Sequence, residues 1–423
     1  MFGLTLLLVI LIIEISLLIY QRKTKQIEFK RKRQIRIGLF FLISVLTVFN
    51  VFSWGFRYYP LLFIYLILIV VNEVSFYKSN HKVKTRRPAR LALKVTGLVL
   101  LFIFMFLPAF LFPKYELLET TGNYSVLTRT DSFIDFNRNE DFSKKDEYRF
   151  VNIRIWYPAD TENLYPLLVY SHGGISLDTS NESLFLELAS HGYVVVSVSH
   201  PYHSIVTKDD LGKNIWINQS YMNELNQENA SEYPQESYEY YQKWMKLRTE
   251  DISFVIDQIK IKSENLEEEN IYKLVDIDKI GLMGHSLGGS AALCLGRSRS
   301  DVLAVIALES PFMCDITSVS NQEFVFDQSP YPIPVLNIYS DSAYDYLSVW
   351  PQYKNNYMLL SSTDERVYNH HISGTYHFSL TDLSLTSPIL ARLLNGEASS
   401  SNSRDTLREI NRVSLEYLNE YLK

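Results

Sequence analysis

Cysteine is nearly missing from this chain, with Cys294 and Cys314 the only two in 423 residues. That excludes a disulfide framework, and since no Cys/His pair has metal-ligand spacing it excludes a zinc site too. Both cysteines read most simply as small buried apolar residues, a single disulfide being the other reading. Acid is nearly missing from the first quarter: before Pro113 stand only Glu14, Glu28 and Glu73, against 16 Lys and Arg. The whole chain nevertheless carries −6, so the remainder is strongly acidic. The basic residues sit between apolar runs rather than in one patch, which argues against a nucleic-acid partner. A cleavable leader is not expected either, because nothing basic precedes the first apolar run and no small-x-small site follows it.

What the first quarter does hold is four apolar runs, 2–20, 37–56, 60–76 and 91–112. Each approaches the roughly 20 residues that cross a bilayer's hydrocarbon. The third is the shortest, with Asn72 and Glu73 near its end. Basic loops at 22–36 and 78–90 contrast with a lone Arg57 between the second and third runs. The positive-inside rule then predicts a four-helix transmembrane anchor over 1–113, with the N-terminus and everything after Phe112 extracytoplasmic. The basic loops read as topology determinants that also touch anionic lipid. Glu14, inside the first run, marks an intramembrane polar site or faces a neighbouring helix or a lipid defect.

Residues 114–423 follow a different rhythm. Alternation at 124–130 and 149–158 predicts an antiparallel edge pair, and short apolar runs at 165–171 and 193–199 predict strands buried on both faces. Further runs of that kind lie at 280–283, 302–308, 334–339 and 366–372. Helical spacing appears between them, as in Leu184, Phe185 and Leu188, or Ile252, Val255, Ile256 and Ile259, or Leu407, Ile410, Tyr417 and Leu418. Strand–helix alternation predicts an α/β domain with a mostly parallel sheet. The polar, aromatic stretch 203–246 breaks the rhythm and reads as an insertion capping the active site.

The chemistry centres on Gly284-His285-Ser286-Leu287-Gly288. An apolar strand runs into this G-x-S-x-G turn and a small-residue helix follows, which is the context a nucleophile elbow requires. Ser286 is the expected nucleophile, and the Leu287 N–H the first oxyanion donor. Three histidines follow it, His370, His371 and His377. His377 sits in a loop after Gly374-Thr375-Tyr376, where a base can reach back over the sheet, whereas the others lie on or at the end of a strand. For the acid, Glu309 and Asp341 both end strands, and spacing does not separate them. Ser171-His172-Gly173-Gly174 follows a strand where an H-G-G loop supplies the second oxyanion donor, the Gly174 N–H.

Taken together, Trp156-Tyr157-Pro158, the 171–174 loop, Leu188-Ala189-Ser190-His191-Gly192-Tyr193, the 284–289 elbow, Ala307-Leu308-Glu309 and Gly374-Thr375-Tyr376-His377 with Asp382 resemble the platelet-activating factor acetylhydrolases of the plasma and intracellular type-II kind. The resemblance covers most of 124–423. It implies an α/β-hydrolase fold and a serine esterase that cleaves short-acyl or oxidised esters, phospholipid esters included, with no metal and no cofactor. It also implies Glu309 as the acid, in a place where the family carries aspartate, with Asp341 as the alternative. The expected protein is thus a membrane-anchored esterase acting on a lipid-like ester beside the lipid bilayer. An acyltransferase or peptidase on the same triad, and a catalytically silent binding or sensor module, are the rivals.

Overall fold

The computed structural model describes residues 2–24, 29–48, 57, 59–78, 88–143, 147–160, 163–209, 211–265 and 271–423. The chain forms two compact units, Met1–Tyr115 with Thr386–Pro388, and Glu116–Leu385 with Ile389–Lys423.

The first unit consists of helices α1 (Phe2–Thr24), α2 (Phe29–Val48), α3 (Tyr59–Lys78) and α4 (Pro88–Leu111). Their shared apolar contacts include Ile10, Ile43, Tyr65, Phe102 and Met105. One segment among the described residues, Ala92–Leu111, is long and apolar enough to cross a membrane, while Leu8–Tyr20 and Phe63–Ser75 are apolar but shorter. The four-span expectation is corrected accordingly. Its four runs are helical where described, but α2 spends its first two turns on Lys30, Arg31, Lys32, Arg33 and Arg36. The end of that run, 49–56, lies outside the described residues, as do 25–28 and 79–87 of the two basic loops. Glu14 is buried and faces a neighbour: Arg36 of α2 grips it with Nε–Oε1 2.6 Å and Nη2–Oε2 2.7 Å. A carboxylate taken from water needs such a bidentate partner.

Among the described residues of the second unit, twelve strands occur: β1 (Val126–Asn139), β2 (Tyr148–Pro158), β3 (Tyr165–Ser171), β4 (Val194–Ser199), β5 (Val206–Lys208), β6 (Asn214–Trp216), β7 (Val275–His285), β8 (Val302–Leu308), β9 (Ile316–Ser320), β10 (Glu323–Phe326), β11 (Val335–Ser340) and β12 (Val367–Ile372). Eight form one sheet in the order β1-β2-β4-β3-β7-β8-β11-β12. The expected edge pair is there, β1 antiparallel to β2 with Val126 opposite Pro158. From β4 to β12 every pairing is parallel.

The apolar runs of β3 serve both faces. Leu167 and Val169 pack with Val255 and Ile256 of helix α7 (Pro234–Glu264) and Ala291 and Leu293 of α8 (Leu287–Ser298). Leu168 and Tyr170 pack on the other side with Leu184 and Leu188 of α5 (Glu182–Ser190) and Ile410 and Leu418 of the C-terminal helix Ser403–Leu422. Each such side chain contributes about 1.5–3 kcal/mol when fully buried, so the parallel strands hold the sheet between two helical layers.

Two features position the site. After β3 the chain crosses to β4 on one side, and it returns to add β7 on the other. The carboxyl ends of β3 and β7 therefore flank a topological switch point, where open α/β sheets leave a crevice. The insertion at 203–246 is more ordered than its polarity suggests: it holds the hairpin β5–β6, helix α6 (Gln219–Gln227) and the first half of α7.

Candidate active site

The turn from β7 into α8 is set by two glycines. A Cβ on Gly284 would fall on the Gly288 carbonyl carbon, and one on Gly288 would fall on the Ser171 carbonyl. The absence of both Cβ atoms lets the turn close tightly and come against the loop after β3. Ser286, at the apex, is left with φ +54° and ψ −125°. A non-glycine residue at such a φ is strained, and the strain is held here by Ser286 N–H donating to Leu308 O at 2.8 Å. Leu287 opens α8, where a first-turn N–H has no acceptor within its own helix.

His377 follows the Gly374 turn, whose φ is +75°. Its Nδ1 donates to Glu309 Oε1 at 2.7 Å, from a side chain 29% exposed to one 3% exposed. Glu309 itself has φ +48° and its N–H donates to Ile338 O at 2.8 Å, so its position follows from the β8–β11 pairing. The carboxylate also accepts from Ser340 N–H at 3.0 Å, from Ser342 Oγ at 2.9 Å and from Ser340 Oγ. Burial would raise its pKa, but the charge of His377 and these hydrogen bonds win and hold it at about 2. His285 packs on His377 with ring centroids 4.5 Å apart and donates Nε2–H to the His377 carbonyl at 3.2 Å. Burial lowers its pKa to about 3, so His285 is a neutral prop.

The other acid, Asp341, holds a different histidine. Its carboxylate accepts from His371 Nε2 at 2.7 Å and from Gly374 N–H at 2.7 Å. His370 pairs with Glu409 at 3.1 Å. Asp382 lies elsewhere, accepting from Ser183 N–H in the first turn of α5 at 2.7 Å.

Ser286, Leu287, Gly174, Glu309 and His377 line one cavity of about 330 Å³. Its remaining wall is mostly apolar or aromatic, with Leu225, Tyr241 and Trp244 coming from the 203–246 stretch and Trp350 and Tyr353 from beyond β11. The cysteines depart from their simplest reading: Cys294 of α8 and Cys314 are joined by a disulfide. The bond ties the helix behind Ser286 to the segment that follows Glu309. No group of three or more metal-ligating side chains is found among the described residues.

Sequence reasoning missed a buried polar cluster behind the 171–174 loop. Arg248 on α7, fully buried, donates to His172 O at 2.5 Å, Gly173 O at 3.1 Å and Ser171 Oγ at 3.3 Å. One turn on, Asp251 accepts from Arg149 at 2.7 and 3.1 Å and from His200 Nδ1 at 2.9 Å. The signal was available: Arg248 and Asp251 share the stripe of Met245, Ile252, Val255 and Ile259, and a charge in an apolar stripe needs a buried partner.

Comparisons with known proteins bear on the family of this chain. The model of the family "Platelet-activating factor acetylhydrolase, isoform II" matches residues 151–423. The platelet-activating factor acetylhydrolase of Canis lupus familiaris is 23% identical over 283 residues, 63% of this chain and 59% of that protein. That of Cavia porcellus is 25% identical over 284 residues, again 63% and 59%. The match thus spans under two thirds of either relative's length. Among solved structures, a ferulic acid esterase from Streptomyces cinnamoneus superposes with a TM-score of 0.52 at 17% identity, covering 72% of this chain and 92% of its own. At that identity the likeness shows the fold alone. The family match takes in well over half of the chain and carries the elbow, both candidate acids and His377, so this chain belongs to the platelet-activating factor acetylhydrolase isoform II family.

Proposed function

We propose that this protein is a serine hydrolase of carboxylic esters. His377, with its Nδ1–H fixed on Glu309, presents Nε2 as the base that takes the proton of Ser286. The Ser286 oxygen attacks the ester carbonyl, and the N–H groups of Leu287 and Gly174 receive the charge that develops on the carbonyl oxygen. The protonated His377 returns its proton to the leaving alcohol. Water, deprotonated by the same imidazole, then releases the acid from Ser286. Glu309 remains ionised throughout and stabilises the imidazolium.

What carries this reading is the 2.7 Å bond from His377 to a carboxylate buried at a strand end, on the wall of the cavity that also holds the strained Ser286. A lipid-like ester is the proposed substrate class, short-acyl or oxidised, and the relatives' printed name supports it. The apolar, aromatic cavity wall is consistent with it too. We place the second unit outside the cytoplasmic membrane, attached through the first. The basic loops support that orientation, Ala92–Leu111 supplies a span, and the Cys294–Cys314 disulfide fits an oxidising compartment.

The test is a series of p-nitrophenyl esters, from acetyl to palmitoyl, offered to the purified full chain in detergent. Wild type is expected to turn over the short members, and Ser286→Ala to lose turnover. Transfer of the acyl group to an added alcohol in preference to water would favour an acyltransferase. Absence of turnover with every ester would favour a binding module.

A further inference from the structure

Peptide groups donate better when their own carbonyl is already hydrogen-bonded, because the amide dipole is polarised through the shared C–N bond. The Gly173–Gly174 peptide carries the N–H assigned above to the oxyanion, and its carbonyl is bonded twice. Arg248 Nη2 donates to Gly173 O at 3.1 Å. His172 Nδ1 lies 2.7 Å from the same oxygen. A carbonyl can only accept, so His172 carries its proton on Nδ1, and Nε2 accepts from Ser204 Oγ at 2.7 Å. Arg248 also bonds the preceding carbonyl, His172 O, at 2.5 Å, and so grips both peptide oxygens of the loop from behind.

Among the described residues, the buried guanidinium has no carboxylate in ion-pair contact. Its third contact is Ser171 Oγ, which donates to His200 Nε2 at 2.9 Å, and His200 Nδ1 donates to Asp251 at 2.9 Å. Asp251 is occupied by Arg149 and lies 3.0 Å from Arg138. His172 and His200 are held neutral, by burial first and by the Arg248 charge second for His172. The cation's field is therefore spent on backbone carbonyls and relayed through the Gly173–Gly174 peptide towards the cavity.

We propose that Arg248 is a positioning residue for the oxyanion site, fixing the plane of the Gly173–Gly174 peptide and polarising the Gly174 N–H against the charge that forms on the substrate carbonyl. The inference rests on the ester-hydrolase reading, and it adds a cation that never touches substrate. Because the oxyanion exists only after Ser286 attacks, the contribution falls on kcat and leaves ground-state binding nearly alone.

The experiment compares the full-chain wild type with Arg248→Gly and Arg248→Lys on p-nitrophenyl acetate, each first shown to melt cooperatively. An inactive wild type defeats the hydrolase reading itself, separately from this proposal. With an active wild type, Arg248→Gly is expected to lose kcat by on the order of 10²–10³, as for loss of one oxyanion donor, with KM changed less than about threefold. Millimolar guanidinium should restore at least tenfold of that loss, and urea, a neutral molecule of the same shape, should not. Affinity for a trifluoromethyl ketone, whose serine adduct carries the oxyanion, should fall in step with kcat/KM. If Arg248→Gly does not fold, Arg248→Lys decides. A single ammonium cannot hold both carbonyls in fork geometry, so kcat should fall by about tenfold or more. Unchanged kcat in a folded variant, or equal rescue by urea and guanidinium, overturns the proposal and leaves Arg248 a structural cation only.

Discussion

At the end of β8 Glu309 holds His377, and at the end of the neighbouring β11 Asp341 holds His371, both across 2.7 Å. The surroundings differ. Glu309 is 3% exposed, accepts from two serines besides its histidine, and lies on the cavity wall with Ser286. The Asp341 and His371 side chains are 27% and 28% exposed, and neither lines that cavity. Instead, Asp341 accepts from Gly374 N–H, and so steadies the turn that delivers His377. A histidine–carboxylate pair is therefore no signature by itself. Burial strengthens the charge interaction, and the cavity decides whether a proton can be used. By this comparison the two pairs form one device, the outer bracing the loop on which the inner one works.

Substitutions can break the comparison. Glu309→Gln keeps the shape but loses the charge and allows the wrong His377 tautomer, so kcat should fall by on the order of 10⁴. Asp341→Asn should cost about tenfold or less, and act by loosening the 374–377 turn. Steady-state kinetics on variants checked by thermal melt would reverse the assignment if Asp341→Asn were the more crippled. A smaller effect is expected at the disulfide. Its 20-residue separation implies about 3 kcal/mol from loop closure, so Cys294→Ser with Cys314→Ser should lower the Tm by several degrees and leave kcat within a few-fold at 25 °C. A collapse of kcat at unchanged Tm would show that the bond serves the site and not the fold.

The smallest effect lies in pH. The folded Glu309 pKa, about 2, is below its ordinary 4.5. The carboxylate therefore adds stability that is complete above pH 4.5 and is lost as pH falls towards 2. The Tm gap between wild type and Glu309→Gln should narrow between pH 5 and pH 2.5. A constant gap would mean that the charge of Glu309 does not contribute to folding.

Much of this candidate site was legible in the sequence, because the elbow's demands are local. Gly284 and Gly288 stand where a Cβ would strike backbone, and only such a sequence can make the turn. His377 was legible by its loop. Residue spacing alone did not choose between Glu309 and Asp341, since each ends a strand, and only the family resemblance pointed to Glu309. What separates them is the β8–β11 register and the left-handed φ of Glu309, and neither leaves a mark in residue order. The disulfide was obscured because one cysteine sits on a small-residue helix and spacing carries no distance. Arg248 was legible only as a charge within the apolar stripe of α7, and its partners, the carbonyls of the 171–174 loop, lie too far away in sequence to be read from it. The N-terminal unit shows the converse weakness. Its runs were read by length and apolarity, and the charges at the start of α2, with the shortness of the apolar segments Leu8–Tyr20 and Phe63–Ser75, leave Ala92–Leu111 as the described segment that meets both.

The central claim, that Ser286 is a nucleophile made reactive by His377 and Glu309, is tested most directly by a fluorophosphonate probe. The full chain should be labelled within minutes, and peptide mapping should place the adduct on Ser286. Ser286→Ala should not label, and Glu309→Gln should label more slowly by orders of magnitude, while Asp341→Asn should label nearly as fast as wild type. Labelling that persists in Ser286→Ala, or a wild type that never labels while folded, would contradict the account.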